Sequence, residues 1–268
     1  MKRINYIYFL LILTALAACQ QTAKQEKTDY EAEIAKELGG AVLWYQTSAE
    51  MHLSYLQAYR YAQLLLDEKL SQGEVENPAV VLDIDETVLD NSPYQGRLLE
   101  EGKLYASESW MDWTKRGKAK ALPGVKKFVV YAKEKGVEVI YISNRSVKVL
   151  GPTIQNLKDE GFPNADSAYV FLKEETSDKT NRRATVSDDY NILVFVGDNL
   201  TDYSQLYADR DEDWGKQLVE KNKEELLNNF VMLPNPMYGE WEGAVYRHDY
   251  KQPDSVKLEM RKEALNSY

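Results

Sequence analysis

The spacing of apolar residues divides the chain into helix-type and strand-type segments. Between residues 30 and 70, Ala, Leu, Tyr and Met recur every three or four positions, which predicts helix, and Gly39-Gly40 is expected to divide this stretch into two helices. Short apolar runs rich in β-branched residues predict buried strands further along the chain. These runs are residues 79–82, 137–142, 168–172, 192–196 and 230–233. Helical patterns lie between and after them, at 124–135, after 151–152, at 215–228 and at 254–266.

The alternation of strands and helices predicts the fold class. Strands joined by helices of this length form a mostly parallel sheet, so we expect an α/β fold with a Rossmann-like parallel sheet and helices on both faces. Residues 92–120 interrupt the alternation as a long insertion. The tyrosines of the N-terminal helical stretch (Tyr45, Tyr55, Tyr59 and Tyr61) are interpreted as packing residues.

Two acidic residues directly follow the first predicted strand. Asp83 and Asp85 flank Ile84 after the apolar run 79–82. Because residues i and i+2 of a strand point the same way, the two carboxylates are expected to share one face, with Cα atoms about 6.6 Å apart. Carboxylates this close at an apolar strand end need a cation or a shared proton. The pair therefore suggests an enzyme site for magnesium-assisted phosphoryl transfer through an aspartyl phosphate.

Further polar groups lie at or beyond the ends of the later strands. In chain order they are Ser143-Asn144-Arg145, Lys179, and Asp198 with Asp202. Ligands of a parallel sheet bind beyond the carboxyl ends of its strands, so these groups are expected to meet Asp83 and Asp85.

The residue types in this set suggest separate roles in phosphate ester hydrolysis. Asp83 is the predicted nucleophile, and Asp85 is predicted to protonate the leaving oxygen and later to activate water. Ser143, Asn144 and the main-chain amides beside them are predicted to bind phosphoryl oxygens. Lys179 is predicted to supply positive charge against the same oxygens.

Acidic residues after the fourth predicted strand complete the set. Asp198 would complete an all-oxygen site, which suits Mg²⁺. Asp202 follows four residues later, on the same side of a helix that begins near Asn199, and is assigned as a partner of metal-bound water or of the lysine.

Composition limits the partners. The 268-residue chain has a formal net charge of −10. An acidic protein of this kind does not fit nucleic-acid polymers, which are bound by counterion release, but local cations can still hold a small phosphorylated metabolite. Cys19 is the only cysteine, so a disulfide within the chain is impossible and thiol catalysis is not expected.

The N-terminus has the features of a bacterial export signal. Lys2 and Arg3 precede an apolar run, residues 4–13, that is too short for an ordinary transmembrane span. The following LAAC resembles a lipobox, in which cleavage leaves Cys19 to carry lipid. Loss of Lys2 and Arg3 would take the formal net charge from −10 to −12. The sequence therefore predicts a signal peptide at 1–18, a polar tether at 19–30 and a globular domain at 31–268.

The motifs match those of the haloacid-dehalogenase-like superfamily. They are DIDET at 83–87, SNR at 143–145, SDKTNRR around Lys179, and GDNLTDY at 197–203. More narrowly, the chain resembles the class C acid phosphatases, also called the lipoprotein 5′-nucleotidase family. This likeness covers nearly all of the mature chain and includes AVLWYQTSAE, DIDETVLDNSPYQ and LPNPMYGEWEG.

The resemblance implies more than the residue patterns do. It implies a smaller, mainly helical cap region, formed here by the N-terminal helices, the 92–120 insertion and the C-terminal segment. Family members are lipid-anchored, non-specific acid phosphatases that often favour nucleoside 5′-monophosphates. The lipobox and the resemblance together imply a location in the bacterial cell envelope through lipid on Cys19, at the outer membrane if the cell is Gram-negative.

The resemblance also assigns individual residues. Mg²⁺ would be bound by the side chains of Asp83 and Asp198 and by the main-chain carbonyl of Asp85. Trp110 and Tyr238 would sandwich the base of the substrate, an interaction that tolerates any base.

Several alternatives stay open on the sequence. A phosphomutase or phosphonate-cleaving reaction would use related motifs, whereas Asp85 argues against dehalogenase and ATPase variants. Outside the enzymes, the alternative is a surface lipoprotein that mainly binds nucleotide, haem or a host component. Lys173 lies near the third motif, although Lys179 fits the spacing to Arg182 and Arg183 better. A homodimer is also left open.

Overall fold

The structure, a computed structural model, describes residues 28–268. The predicted signal peptide, the lipidation site Cys19 and most of the tether lie outside the described residues. Within the described part of the chain, no helix is both long enough and apolar enough to cross a membrane.

A five-stranded sheet forms the centre of the protein, and its strand order is β5-β4-β1-β6-β7. All four neighbouring pairs are parallel. The strands are β1 (Pro78–Leu82), β4 (Glu138–Ser146), β5 (Val170–Lys173), β6 (Asn191–Gly197) and β7 (Phe230–Met232). A separate antiparallel pair, β2 (Leu89–Asp90) and β3 (Lys120–Ala121), encloses the insertion. The predicted α/β class with a parallel sheet is confirmed.

Helices precede, connect and follow the strands. In the N-terminal half they are α1 (Tyr30–Glu37), α2 (Gly39–Thr47), α3 (Ala49–Ser71), α4 (Ser92–Glu101), α5 (Ser107–Lys115) and α6 (Val125–Glu134). In the C-terminal half they are α7 (Leu150–Asp159), α8 (Thr180–Asp189), α9 (Leu200–Tyr203), α10 (Lys216–Lys221), α11 (Lys223–Asn229), α12 (Glu240–Val245) and α13 (Asp254–Glu263).

The central strand β1 is apolar because both of its faces are covered. Val80 and Leu82 belong to a core cluster that includes residues of α3, α6 and α7. Ala79 and Val81 point to the opposite face, where a smaller cluster includes Val186 of α8. A strand buried on both faces reads as a continuous apolar run, and the charged residues come only where the run ends.

The N-terminal helical stretch has one break more than predicted. The break expected at Gly39-Gly40 lies one residue earlier, at Leu38, so both glycines belong to α2; a second break lies at Ser48. Ser48 caps α3, since its hydroxyl accepts a hydrogen bond of 3.0 Å from the amide of Met51. A serine followed by a strongly helical run is an N-cap signal, so this break was readable in the sequence.

The elements assigned to a cap region pack on one another. α1 contacts both α4 of the insertion and the C-terminal α13, and α2 also contacts α4. Arg261 of α13 donates a hydrogen bond of 2.6 Å to Glu37 of α1. These elements supply walls of a cavity above the carboxyl ends of the strands.

Candidate active site

The end of β1 carries the first two site residues. The amide of Asp83 still donates to the carbonyl of Val196 on β6, at 3.0 Å, so Asp83 is fixed by the sheet. Beyond it the chain makes a tight turn, in which the amides of Val88 and Leu89 both donate to the carbonyl of Ile84 at 2.9 Å. Asp83 and Asp85 both line the cavity.

Lys179 joins three parts of the site. It is buried at the residue before α8, and its ammonium group donates to Asp83, to Asp202 at 2.6 Å and to the carbonyl of Ile142 at 2.8 Å. Burial disfavours the charged amine, but the carboxylates of Asp202 and Asp83 outweigh it and raise the pKa of Lys179. The lysine is therefore a permanent cation at neutral pH. Lys173 lines the same cavity, but it is Lys179 that contacts Asp83.

Three carboxylates converge beside this lysine. Asp83, Asp198 and Asp202 each offer an oxygen within 4.8 Å of the others. Asp202 also closes a capping box at the start of α9, where it accepts from the amide of Asn199 at 2.9 Å. Gly197 makes this approach possible, because any Cβ at that position would collide with the Asp202 carboxyl group.

Burial disfavours the charged form of the carboxylates in this cluster. It raises the pKa of Asp83 to about 7, against the opposing charge of Lys179. It also raises the pKa of Asp198 well above the ordinary value, with further increases from Asp202 and Asp83. Three carboxylates facing one ammonium group fit a divalent cation, since carboxylate oxygens are the ligands that hard cations prefer.

Asp198 is also held by the C-terminal loop. The side-chain amide of Asn235 donates to Oδ2 of Asp198 at 2.8 Å, and the hydroxyl of Thr87 lies 3.4 Å from Oδ1. Asn235 also accepts from the amide of Met237 at 3.0 Å. The loop that carries Tyr238 is therefore tied to the carboxylate cluster.

Asp85 has a different set of partners from Asp83. Its Oδ1 accepts from Nε of Arg145 at 2.8 Å and from Nδ2 of Asn91 at 2.9 Å, and its Oδ2 accepts from the hydroxyl of Ser143 at 3.2 Å. Arg145 is fully buried and also donates to Asn91 at 3.2 Å. The indole of Trp113, from the insertion, donates to the same Asn91 oxygen at 2.8 Å.

An irregularity in β4 allows this arrangement. Pairing between β4 and β5 shifts between Ser143 and Ser146, so Asn144 and Arg145 interrupt the regular ladder. Arg145 turns inward to Asp85, whereas Asn144 is exposed and lines the cavity. Arg182 of α8 fixes this bend, because it donates to the Ser143 carbonyl at 2.6 Å and to Oδ1 of Asn144 at 2.8 Å.

The cavity above these residues has a volume of about 570 Å³. Trp110 of α5 and Tyr238 of the C-terminal loop both line it. The ring of Trp110 is supported by an edge contact with Tyr94, at 5.1 Å between centroids. An aromatic-lined cavity that ends in a charged cluster can hold a ring together with an anionic group.

The predicted site residues fall into two groups. Those that line the cavity are Asp83, Asp85, Asn144, Lys179, Asp198, Asp202, Trp110 and Tyr238. Ser143 is fully buried, and its hydroxyl donates to Asp85; its contact with a phosphoryl oxygen stays a prediction. Cys19 lies outside the described residues.

Sequence reasoning did not assign roles to Arg145, Asn91, Trp113 or Asn235. Arg145 stands within the SNR motif, and an arginine at the end of an apolar strand is itself a signal, since a buried guanidinium requires an acidic partner. Nothing in the local sequence marks Asn91 or Asn235 apart from other loop asparagines.

Comparisons of the sequence and of the structure with known proteins both find acid phosphatases. The sequence model described as "HAD superfamily, subfamily IIIB (Acid phosphatase)" matches residues 11–241. The structure is similar to that of the class C acid phosphatase from Bacillus anthracis, with a TM-score of 0.84 and 41% sequence identity over 88% of this chain and 99% of that one. A second structure of the Bacillus anthracis enzyme, with tungstate bound, gives a TM-score of 0.84 at 40% identity, over 88% of this chain and 99% of that one.

Plant proteins are similar over a shorter segment. The stem 28 kDa glycoprotein of Glycine max is 28% identical over 156 residues, which are 54% of this chain and 58% of the plant protein. The chain therefore spans less than two thirds of the length of this curated relative.

Proposed function

The chain belongs to subfamily IIIB of the HAD superfamily, the acid phosphatases, and from this membership we propose that it hydrolyses phosphomonoesters. In finer detail, we propose an exported, Mg²⁺-dependent acid phosphatase that acts on nucleoside 5′-monophosphates through an aspartyl phosphate. The observation that carries the proposal is the different environment of Asp83 and Asp85, described above.

Asp83 has the surroundings of a nucleophile. Its carboxylate is paired with the ammonium group of Lys179 and faces the cavity. In the proposed first step, an oxygen of Asp83 attacks phosphorus and the bond from phosphorus to the ester oxygen breaks. Lys179 keeps a positive charge beside the site of attack throughout.

Asp85 has the surroundings of a general acid and base. Oδ1 is held by Arg145 and Asn91, so Oδ2, beside the hydroxyl of Ser143, is the oxygen that we assign to proton transfer. It gives its proton to the departing ester oxygen in the first step. It then takes a proton from the water that attacks the aspartyl phosphate, which releases phosphate and restores Asp83.

A divalent cation fits the residues present. Phosphatases of this superfamily use a divalent metal, and the convergence of Asp83, Asp198 and Asp202 within 4.8 Å supports one here. We propose that Mg²⁺ is held by Asp83, Asp198 and the main-chain carbonyl of Asp85, with Asp202 beside it as the partner of Lys179. When bound, Mg²⁺ supplies positive charge to the phosphoryl oxygens and to the carboxylate cluster.

Aromatic residues support the choice of a nucleotide. Trp110 and Tyr238 line the cavity that contains Asp83, and stacking between a base and an aromatic ring contributes about 1–3 kcal/mol. We therefore expect Trp110→Ala to lower kcat/KM for adenosine 5′-monophosphate by about tenfold or more, with little change for glycerol phosphate. Equal losses on both substrates would contradict base stacking. Trp214, which is exposed and outside the cavity lining, provides the control variant Trp214→Ala.

Export and lipid anchoring are proposed from the sequence of the first 19 residues. Cys19→Ala is expected to release the protein from the membrane fraction of cells that express the full chain. Continued membrane association of this variant would contradict lipid attachment at Cys19.

The test of the function is a substrate panel with purified protein, with and without Mg²⁺. The expected result is hydrolysis of nucleoside 5′-monophosphates and p-nitrophenyl phosphate that stops on chelation and returns with Mg²⁺. Nucleotide binding without hydrolysis under these conditions would contradict the phosphatase proposal and would favour a binding protein.

A further inference from the structure

Two tyrosines of the N-terminal helices donate hydrogen bonds to the turn that follows Asp85, and the hydroxyl of a third contacts one of them. Tyr45 lies on α2, and Tyr55 and Tyr59 lie one turn apart on α3; all three are buried. The hydroxyl of Tyr55 donates to the carbonyl of Glu86 at 2.5 Å, and that of Tyr59 donates to the carbonyl of Thr87 at 2.7 Å. The sequence pattern predicts packing residues here; the tyrosines do pack in the core, and their hydroxyls also donate hydrogen bonds.

The direction of donation in this group follows from its chemistry. A carbonyl oxygen only accepts, so the Tyr55 proton is used on Glu86. The contact of 2.5 Å between the Tyr45 and Tyr55 hydroxyls must then run from Tyr45 to Tyr55. The result is a chain from Tyr45 through Tyr55 to the main chain of Glu86, in which each bond polarises the next.

The turn itself needs this support. Glu86 has a φ of +56°, a left-handed conformation that costs a non-glycine residue free energy. The main chain holds the amide of Glu86, which donates to the carbonyl of Leu89 at 3.0 Å. The carbonyls of Glu86 and Thr87 are held by the tyrosine hydroxyls instead. Glu86 and Thr87 are fully buried, so their carbonyls would lack a partner and any contact with water if the tyrosine hydroxyls were removed.

The same helix also reaches the C-terminal side of the site. The Tyr55 hydroxyl lies 3.5 Å from the carbonyl of Pro234, at the start of the loop that carries Asn235 and Tyr238. Asn235 in turn donates to Asp198. One face of α3 therefore contacts the main chain of the turn after Asp85 and the main chain of the loop that holds Asp198.

We propose that Tyr55 and Tyr59 are positioning residues of the active site: their hydroxyls fix the peptide planes after Asp85 and so orient its main-chain carbonyl and its side chain. The inference rests on the proposed phosphatase function. It makes α3 a structural part of the active site and predicts that loss of single hydroxyls on residues outside the cavity lining reduces turnover and metal affinity.

The test compares tyrosine-to-phenylalanine variants, which keep the aromatic rings. Phe at position 55 or 59 keeps the packing that Tyr59, for example, makes with Phe128, at 5.8 Å between centroids. Tyr61→Phe is the control on the same helix, because the Tyr61 hydroxyl also donates to a carbonyl, that of Leu227, which lies away from the site. Tyr45→Phe serves as a buried comparison that leaves the Tyr55 bond to Glu86 in place.

The kinetic readout is kcat and KM for p-nitrophenyl phosphate at saturating Mg²⁺. Tyr55→Phe and Tyr59→Phe are each expected to lower kcat by about tenfold, the equivalent of one buried hydrogen bond, with KM within about twofold of wild type. Tyr61→Phe is expected to keep both parameters within about twofold, and Tyr45→Phe to lose less than Tyr55→Phe. Wild-type kcat in Tyr55→Phe and Tyr59→Phe would overturn the inference, as would an equal loss in Tyr61→Phe.

A second readout does not depend on activity. Calorimetric titration with Mg²⁺ is expected to show about fivefold or weaker binding in Tyr55→Phe than in wild type, and unchanged binding in Tyr61→Phe. A wild-type protein that binds Mg²⁺ but hydrolyses no phosphomonoester would refute the proposed function and leave this titration to decide the role of the tyrosines. Equal Mg²⁺ affinity in all variants, or no Mg²⁺ binding and no hydrolysis by wild type, would refute the positioning role.

Discussion

Replacing Lys179 with methionine removes the cation that neutralises the buried carboxylates. The side chain of Lys179 is only 4% exposed, so its charge is balanced by its protein partners and hardly by water. Methionine has a similar length and fills much of the same volume. The variant therefore tests charge more than packing.

The magnitude follows from the three hydrogen bonds that are lost. Two of them join the ammonium group to the carboxylates of Asp83 and Asp202, and one joins it to the carbonyl of Ile142. Hydrogen bonds to charged groups contribute about 1.5–3 kcal/mol each. The loss is partly offset, because the variant no longer has to remove an ammonium group from water when it folds. Removing one partner of a buried ion pair costs about 3–5 kcal/mol. We therefore expect the free energy of unfolding of Lys179→Met to be lower than that of wild type by about this amount at pH 7 in the absence of metal.

Mg²⁺ should stabilise the folded state of the variant, as it does that of wild type. A ligand that binds only the folded state, at about 100 times its dissociation constant, adds about 2.7 kcal/mol. The assay is urea unfolding at pH 7, with chelator and with saturating Mg²⁺, and Lys173→Met is the control because Lys173 lines the same cavity. A Lys179→Met protein as stable as wild type in chelator, or one that loses no more than Lys173→Met, would refute the electrostatic argument.

Two further predictions concern other ion pairs. Arg145→Lys keeps the charge beside Asp85 but loses the fork geometry, so kcat for p-nitrophenyl phosphate should fall by about tenfold or more and the free energy of unfolding by about 1–2 kcal/mol; unchanged kcat would contradict the role of Arg145 in holding Asp85. Burial raises the pKa of Glu242 above 4.5 and Arg261 opposes that rise, so Arg261→Met should raise this pKa further. The folded state then holds the proton to higher pH than the unfolded state, so the stability lost in Arg261→Met should be smallest below about pH 4.5 and should grow as the pH rises, to about 2 kcal/mol at pH 8. Thermal unfolding at several pH values measures this, and a loss that shrinks with rising pH would contradict it.

The sequence predicts the acidic cluster well because its pattern is local. Apolar runs that end in Asp83 and Asp198 mark strand ends, and parallel strands bring their carboxyl ends to one edge of the sheet. The structure brings both aspartates, with Lys179, to that edge. No knowledge of side-chain contacts was needed for this part of the site.

The contacts that position these groups are not local. Tyr55 and Glu86 are 31 positions apart, and Arg145 and Asp85 are 60 apart. Helical spacing shows that Tyr55 faces the core, but it does not show where a hydroxyl at the end of the ring finds a carbonyl. The hydrogen bond from Ser143 to Asp85 is also not local, because it forms where the pairing between β4 and β5 shifts.

The most direct test of the account is a search for phosphate covalently bound to Asp83. Protein mixed with a ³²P-labelled nucleoside 5′-monophosphate and Mg²⁺, then quenched in acid, is expected to retain label that hydroxylamine releases, as an acyl phosphate does. Asp83→Asn is expected to retain none, whereas Asp188→Asn, at an exposed carboxylate on α8, is expected to retain as much label as wild type. Active wild-type protein without hydroxylamine-sensitive label, or equal labelling of Asp83→Asn, would contradict the aspartyl-phosphate mechanism.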